Sequence, residues 1–327
     1  MGTVIISTGM GYLKISPFEV IQILLGAITG RESLLEGMNK AFPFVVLEVR
    51  LPRILTSALV GAGLSVSGVI YQGILLNPLA DPYTLGISAG AAFGASLALL
   101  MKMTLLGEAS VPLFAFGGAV ITLALVLFLS SQEGGISSNN LILSGIIVAA
   151  ILSAGISFLK YIADEHVSVI IFWLMGSFVG RTWGHVLLCF SFVAIGFVVC
   201  FIYSRELNIL CLGDRAAVSL GVRTQRLRLV LLITASMITA ICVSVSGIIG
   251  FVGLIVPHLM RFLVGADNRA LLPASALVGA MLLCGSDTVI RALLPAEVPI
   301  GVLTAIIGGP VFCYIFKKRR GMGIGYV

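Results

Sequence analysis

The chain has 327 residues, of which 59% are hydrophobic and only 10% charged, with a mean hydropathy of +1.14 and a formal net charge of +6. A soluble domain carries about 25% charged residues, so water is not the main solvent of this sequence. The positive charge does not point to nucleic acid, because lysines and arginines sit in short segments between apolar runs rather than on one face or in one domain.

The first stretch, 1–11, is apolar but too short to cross a bilayer. In the next, 12–49, Phe18, Val20, Ile21, Leu24 and Leu25 recur at helical spacing, which predicts a helix lying along the membrane surface. Nine apolar runs follow, at 53–76, 84–101, 111–130, 141–162, 185–204, 227–247, 249–264, 271–294 and 299–316. Backbone groups in lipid must be bonded internally, so the runs are predicted to be helices. Small residues in two of them (Gly61, Ala62, Gly63, Ser65, Ser67 and Gly68; Ser144, Gly145, Ala149, Ala150, Ser153, Ala154 and Gly155) predict close helix approach. No linker or low-complexity tract interrupts the pattern, which predicts one all-α polytopic membrane domain, 1–327.

Between the first two runs, NPLADP (77–82) is predicted to turn: Pro78 and Pro82 cannot continue a helix, and Asn77 and Asp81 favour turns. Arg50 and Arg53 flank the Leu51-Pro52 that is predicted to open a helix; both are placed to anchor at the membrane interface or to contact a partner. Asp287 stands four residues before Arg291 on one helix face, which predicts an intrahelical ion pair. An acid inside an apolar run is alternatively the coupling carboxylate of an ion-driven transporter; its nearness to the helix end and to Arg291 favours the pair. The segment 208–226, NILCLGDRAAVSLGVRTQR, predicts a short surface helix with Asp214 as N-cap, Ala216, Ala217 and Leu220 as an apolar face and Gly221 as its stop. Arg205, Arg215, Arg223, Arg226 and Arg228 crowd this region, and KKRR lies in the tail at 317–320, which places both on the cytoplasmic side.

Chemistry is otherwise sparse. There is no G-x-x-x-x-G-K-[ST] phosphate loop, so ATP is not expected to bind in that manner. Cys189, Cys200, Cys211, Cys242, Cys284 and Cys313 are scattered without a C-x-x-C pair and are expected to pack as small apolar residues. His166, His185 and His258 lack partners at metal-ligand spacing, and no metal site or covalent catalysis is expected.

Five segments carry a family resemblance: RLPRILTSALVGAGLSVSGVIYQGILLNPLADPYTLGISAGAAFG (50–94), WLMGSFVGRTW (173–183), LCLGDRAAVSLGV (210–222), SGIIGFVGLIVPHLMRFLVGADNRALLP (246–273) and PIGVLTAIIGGPVF (299–312). Together they resemble the FecCD-type permeases of ABC importers for ferric siderophores, haem and cobalamin. The resemblance implies a ten-helix permease, here with nine full transmembrane helices, 1–11 as the remnant of a truncated first helix and 12–49 as an outer loop with an interfacial helix. It implies two copies around a central pathway in a bacterial or archaeal plasma membrane, and an extracytoplasmic substrate-binding protein. Two ATP-binding cassette subunits would bind the ATP and Mg that this chain does not. The coupling segment, 205–226, would dock on the ATPase through Gly213, Asp214, Arg215, Ala216, Ala217, Leu220 and Gly221. Arg50, Arg53 and Arg291 would meet glutamates of the binding protein. Leu79, Ser138 and Asn139, in the 77–82 turn and a loop at 137–140, would close the pathway toward the cytoplasm; Ser144, Ser153, Ser157, Thr304 and Gly308 would line it. Ferric siderophore is the expected cargo, with haem and cobalamin open.

Overall fold

The computed structural model describes residues 2–11, 13, 15–30, 35, 38–103, 107–132, 135–293 and 298–321, and within them the chain is helical almost throughout. Of the basic tail, the side chains of Lys318, Arg319 and Arg320 lie outside the described residues. Helix α1 (Gly2–Gly9) is followed by α2 (Pro17–Thr29), which opens on a capping box. Ser16 Oγ accepts from the Glu19 N–H at 3.2 Å, the Glu19 carboxylate accepts from the Ser16 N–H at 2.8 Å, and Pro17 stands where its missing N–H is not needed.

The first long helix starts earlier than Leu51-Pro52 predicts. Helix α3 (Ala41–Phe44), π-helical turns over Val45–Arg50 and α4 (Leu51–Ile74) form one continuous element, Ala41–Ile74. In the π turns the Leu51 N–H reaches back to the Val46 carbonyl, and this wider turn lets a proline enter without ending the helix. The last part of the segment expected to lie on the surface, 41–49, is therefore the beginning of a spanning helix.

The remaining runs form α5 (Ile87–Leu100), α6 (Ser110–Ser130), α7 (Ser138–Ile162), α9 (Trp183–Ile202), α12 (Thr224–Ser246), α13 (Val252–Val264), α14 (Asn268–Leu293) and α15 (Ile300–Gly321). Short helices α8 (Val167–Leu174), α10 (Ser204–Leu210) and α11 (Asp214–Ser219) and a hairpin of two-residue strands, β1 (Ser131–Gln132) and β2 (Gly135–Ile136), connect them. Among the described residues, six helices are long and apolar enough to cross a membrane. Helices α5 and α13, with 14 and 13 residues, are only about 20 Å long at 1.5 Å per residue, short of a hydrocarbon core of about 30 Å. Gly253, in the first turn of α13, lies against Gly68 in the last third of α4, so α13 begins well inside the bundle. The irregular backbone before it is bonded within the protein: Tyr83 Oη donates to the Ile249 carbonyl at 2.5 Å and accepts from the Ile249 N–H at 3.1 Å, and the Ser177 N–H donates to the Ser246 carbonyl. Non-helical backbone at such depth is tolerated only where protein surrounds it.

Helix α4 is the centre of the bundle, with 78% of its apolar window buried, and α14, α12, α13 and α9 pack around it. Small residues make this possible. A Cβ at Gly61 would lie 2.1 Å from the Gly279 carbonyl oxygen of α14, and one at Gly68 only 1.8 Å from that of Gly253. Around the second contact Ser67 Oγ donates to the Ala235 carbonyl and Tyr71 Oη shares a 2.8 Å bond with Ser236 Oγ. Helices α6, α7 and α9 have a third or less of their windows buried and turn Ile121, Phe128, Ile146, Ile151, Leu187 and Ile195 outward, as lipid-facing helices do. Cys189, Cys200, Cys242 and Cys284 are buried packing residues as expected, whereas Cys211 and Cys313 are exposed.

Replacing Gly68 with alanine forces α4 and α13 apart. We expect Gly68→Ala to cost about 1–3 kcal/mol or more in a detergent unfolding titration. Gly117→Ala, where a Cβ meets nothing within 4 Å, serves as the neutral control.

Candidate functional site

The two ends of the bundle hold its charged side chains in different ways. At the end where α4 starts and α14 finishes, three arginines converge on one acid and on the C-terminus of α1. Arg53 Nε donates to both oxygens of Asp287, at 3.0 and 3.1 Å, and Nη2 donates to Oδ1 at 2.8 Å. Arg291 Nε donates to Oδ2 at 3.2 Å, which is the expected i,i+4 pair. Its other nitrogens donate to the Met10 and Ser7 carbonyls. Arg50 Nη1 donates to Thr8 O at 2.8 Å and to Gly9 O at 3.3 Å, and Nη2 to Leu13 O at 2.5 Å. The last carbonyls of a helix have no intrahelical partner and carry the negative end of its dipole, so α1 is held by two guanidinium forks.

These arginines face inward. Arg50 is 7% exposed, and the side chains of Arg53 and Arg291 are 11% and 9% exposed beside an Asp287 at 2%. All three are bonded within the protein, so a partner's glutamate would reach them only in exchange for these internal bonds. A guanidinium taken out of water needs acceptors, and α1 and Asp287 provide them.

At the other end, α11 carries the expected coupling segment with a different internal logic. The N-cap is Gly213 rather than Asp214, and no side chain caps the helix. Asp214 instead accepts from Arg228 Nη2 at 2.8 Å. Arg228, counted from sequence among exposed loop cations, is 1% exposed at the base of α12 and also donates to the Ile136 carbonyl at 2.8 Å. The apolar face differs too: Ala217 is fully buried, Ala216 is half-buried, Arg215 is exposed, and the outward apolar residues are Leu212, Val218 and Leu220, at 68%, 60% and 61% exposure. Gly221 ends the helix at φ +82°, where a side chain would be strained.

The 77–82 turn follows the end of α4, against which α10 packs through Leu207 at Gly73. The Asn77 carboxamide accepts from the Leu79 N–H, Asp81 accepts from the Tyr83 N–H and the Thr84 hydroxyl, and Leu79 is 40% exposed. The expected loop at 137–140 is the start of a helix: Ser137 is the N-cap of α7, accepting from the Asn140 N–H, and Ser138 Oγ donates to the Ile74 carbonyl at 3.0 Å. Asn139 is exposed. Of the expected pathway wall, Ser153 and Ser157 are exposed on α7, but Ser144 and Thr304 are buried, and Gly308 lies against the Phe251 side chain. Near α10, Asp267 accepts from the Arg269 guanidinium and backbone N–H and from the Asn208 amide, which together hold its carboxyl well below the usual carboxylate range.

Sequence reading missed Arg228 and Tyr83 as organisers. The available signal was position: Arg228 lies among leucines in the opening turns of an apolar run, where a cation has a specific partner.

A bundle of long apolar helices around a polar-capped central stave, with a short exposed helix at one end, is the architecture of a transporter permease. The FecCD transport family matches residues 1–318, and the chain belongs to it: it is the permease subunit of an ABC importer, a multi-pass membrane protein. It is 42% identical to the molybdate import system permease protein MolB of Haemophilus influenzae, over 98% of this chain and 93% of that one. It is 39% identical to the Fe(3+)-citrate import system permease protein YfmE of Bacillus subtilis, over 96% and 90%. A solved metal-chelate type ABC transporter in an inward-facing conformation superposes with a TM-score of 0.82 at 39% identity, covering 97% of this chain and 95% of that one.

The buried acid between two arginines is the point of greatest electrostatic cost. Asp287→Ala leaves both guanidiniums without their carboxylate, and we expect a loss of about 3–5 kcal/mol in unfolding free energy. A loss below about 1 kcal/mol would show that the arginines are satisfied without it.

Proposed function

We propose that this permease takes a ferric chelate from an extracytoplasmic binding protein and passes it to the cytoplasm by alternating access, driven by ATP hydrolysed in a separate subunit. The observation that carries this is the face formed by Leu212, Val218 and Leu220: three apolar side chains turned outward on a short helix and its approach. That helix is fastened by Asp214 to a spanning helix. Exposed apolar residues grouped at one end of a bundle suit a partner's groove. The segment's arginines, Arg205, Arg215, Arg223 and Arg226, support a cytoplasmic placement of this end, which puts the α1 end outside.

Two copies would face each other across the pathway, with Ser153 and Ser157 of α7 on its wall and Leu79 and Asn139 at its inner mouth. Small hydroxyls give a wide, uncharged surface that suits a bulky chelate, whereas a bare ion needs rings of carbonyls or carboxylates. Iron citrate is named for one relative and molybdate for another; the uncharged wall favours the ferric chelate, a siderophore first, over the oxyanion. An ion-driven mechanism through Asp287 gains no support from the geometry, since both carboxylate oxygens are taken by Arg53 and Arg291.

The docking face is tested by the double variant Val218→Asp/Leu220→Asp. It should weaken association with the ATPase subunit by about tenfold or more, since buried apolar anchors are worth 1–2 kcal/mol each, while the permease remains folded. Unchanged association places the docking site elsewhere. In the same complex, a binding protein loaded with ferric chelate should stimulate ATP hydrolysis; stimulation by a molybdate-loaded one alone would reverse the substrate assignment.

A further inference from the structure

We infer that Arg228 is the positioning residue through which α11 moves the inner mouth of the pathway. This rests on the importer reading above and adds to it the path by which the motion travels. The guanidinium is fully buried, and its two terminal nitrogens reach different elements: Nη2 donates to Asp214 Oδ1 at the first residue of α11, and Nη1 donates to the carbonyl of Ile136 in β2, each at 2.8 Å. One turn earlier on α12, Gln225 Oε1 accepts from the Ile136 N–H at 2.8 Å. Both backbone groups of Ile136 are thus held by side chains of α12.

The hairpin containing Ile136 has only two paired positions, Ser131 with Ile136 and Gln132 with Gly135. So small a ladder cannot fix its own place, and the grip of Gln225 and Arg228 sets where β2 lies. The next residues are Ser137, the N-cap of α7, and Ser138, whose hydroxyl is bonded to the Ile74 carbonyl at the end of α4. From Ile74 the chain passes directly into the turn with Leu79. Three hydrogen bonds joined by short stretches of chain therefore lead from Asp214 through Arg228, Ile136 and Ser138 to the mouth-forming turn.

Arginine suits this junction because its planar fork bonds two acceptors at once in fixed relative positions. Its Nε has no partner among the described residues, so the whole bonding capacity used is directed at these two elements. A residue serving only to fill space at the base of α12 would not carry a charge into a buried position.

The test uses the permease with its ATPase subunit and binding protein in proteoliposomes, comparing the parent with Arg228→Lys and Arg228→Gln. Neither replacement can hold both acceptors in the same geometry. Association with the ATPase should stay within about twofold, and hydrolysis should continue. Substrate imported per ATP hydrolysed should fall by about tenfold or more, the worth of a charge-assisted hydrogen bond of 1.5–3 kcal/mol. An unchanged ratio overturns the proposal. So does a parallel loss of association, hydrolysis and import, which is what a purely structural residue gives. If the Arg228 variants do not fold, Gln225→Leu at the exposed neighbouring position cuts the other hold on Ile136. The ratio should then fall by about threefold to fivefold, the worth of a neutral hydrogen bond, and an unchanged ratio overturns the proposal equally. A parent complex without ATP-driven import overturns the importer reading itself, and this proposal with it, whereas a parent that imports beside variants that keep its ratio overturns this proposal alone.

Discussion

A chain dissolved in lipid has no water to complete its hydrogen bonds, so every polar group inside the bundle must find its partner within the protein. That constraint organises this structure from end to end. Asp287 is tolerable at 2% exposure because two arginines bond its oxygens, and those arginines are tolerable because Asp287 and the carbonyls of α1 receive them. The break between α12 and α13 is tolerable because Tyr83 supplies both a donor and an acceptor to Ile249. At the α1 end, charge enters the interior as a closed set of Asp287, two arginines and backbone carbonyls.

The same constraint explains the work left to packing. Lipid is as apolar as leucine, so helices are not driven together by water, and close backbone contact has to hold them. Gly61 and Gly68 give α4 that contact with α14 and α13 at two levels. A stave so firmly held can relate its two ends: Arg53 near its start belongs to the acid cluster, and the Ile74 carbonyl at its finish receives Ser138. Helices α6, α7 and α9, mostly outward-facing, are free to meet lipid or a second copy.

Local features of this fold were legible in the sequence and long-range ones were not. Every apolar run became a helix, the NPLADP turn closed through its Asn and Asp side chains, and the Asp287–Arg291 pair formed, because each depends on residues a few positions apart. The fate of Arg50 and Arg53 depended on acceptors 42 and 234 positions away, which no periodicity reveals. Asp214 illustrates the limit well. Its type and place fit an N-cap, yet a buried arginine on the next helix had the stronger claim on its carboxylate, and a glycine took the cap position. Proline at 52 misled for a related reason, since the π turns that accommodate it leave no mark in composition.

The central claim is that the carboxylate inside this membrane protein is a structural group and that the energy for transport comes from outside the chain. Its most direct test is uptake into proteoliposomes holding the permease, its ATPase and its binding protein, for the parent and for Asp287→Asn, with ATP inside or with an imposed proton or sodium gradient. The amide keeps an acceptor for Arg53 and Arg291 but cannot carry a proton or balance a sodium ion. The account predicts that uptake in both proteins requires ATP and is indifferent to an ionophore. Gradient-driven uptake without ATP, lost in Asp287→Asn, would contradict it.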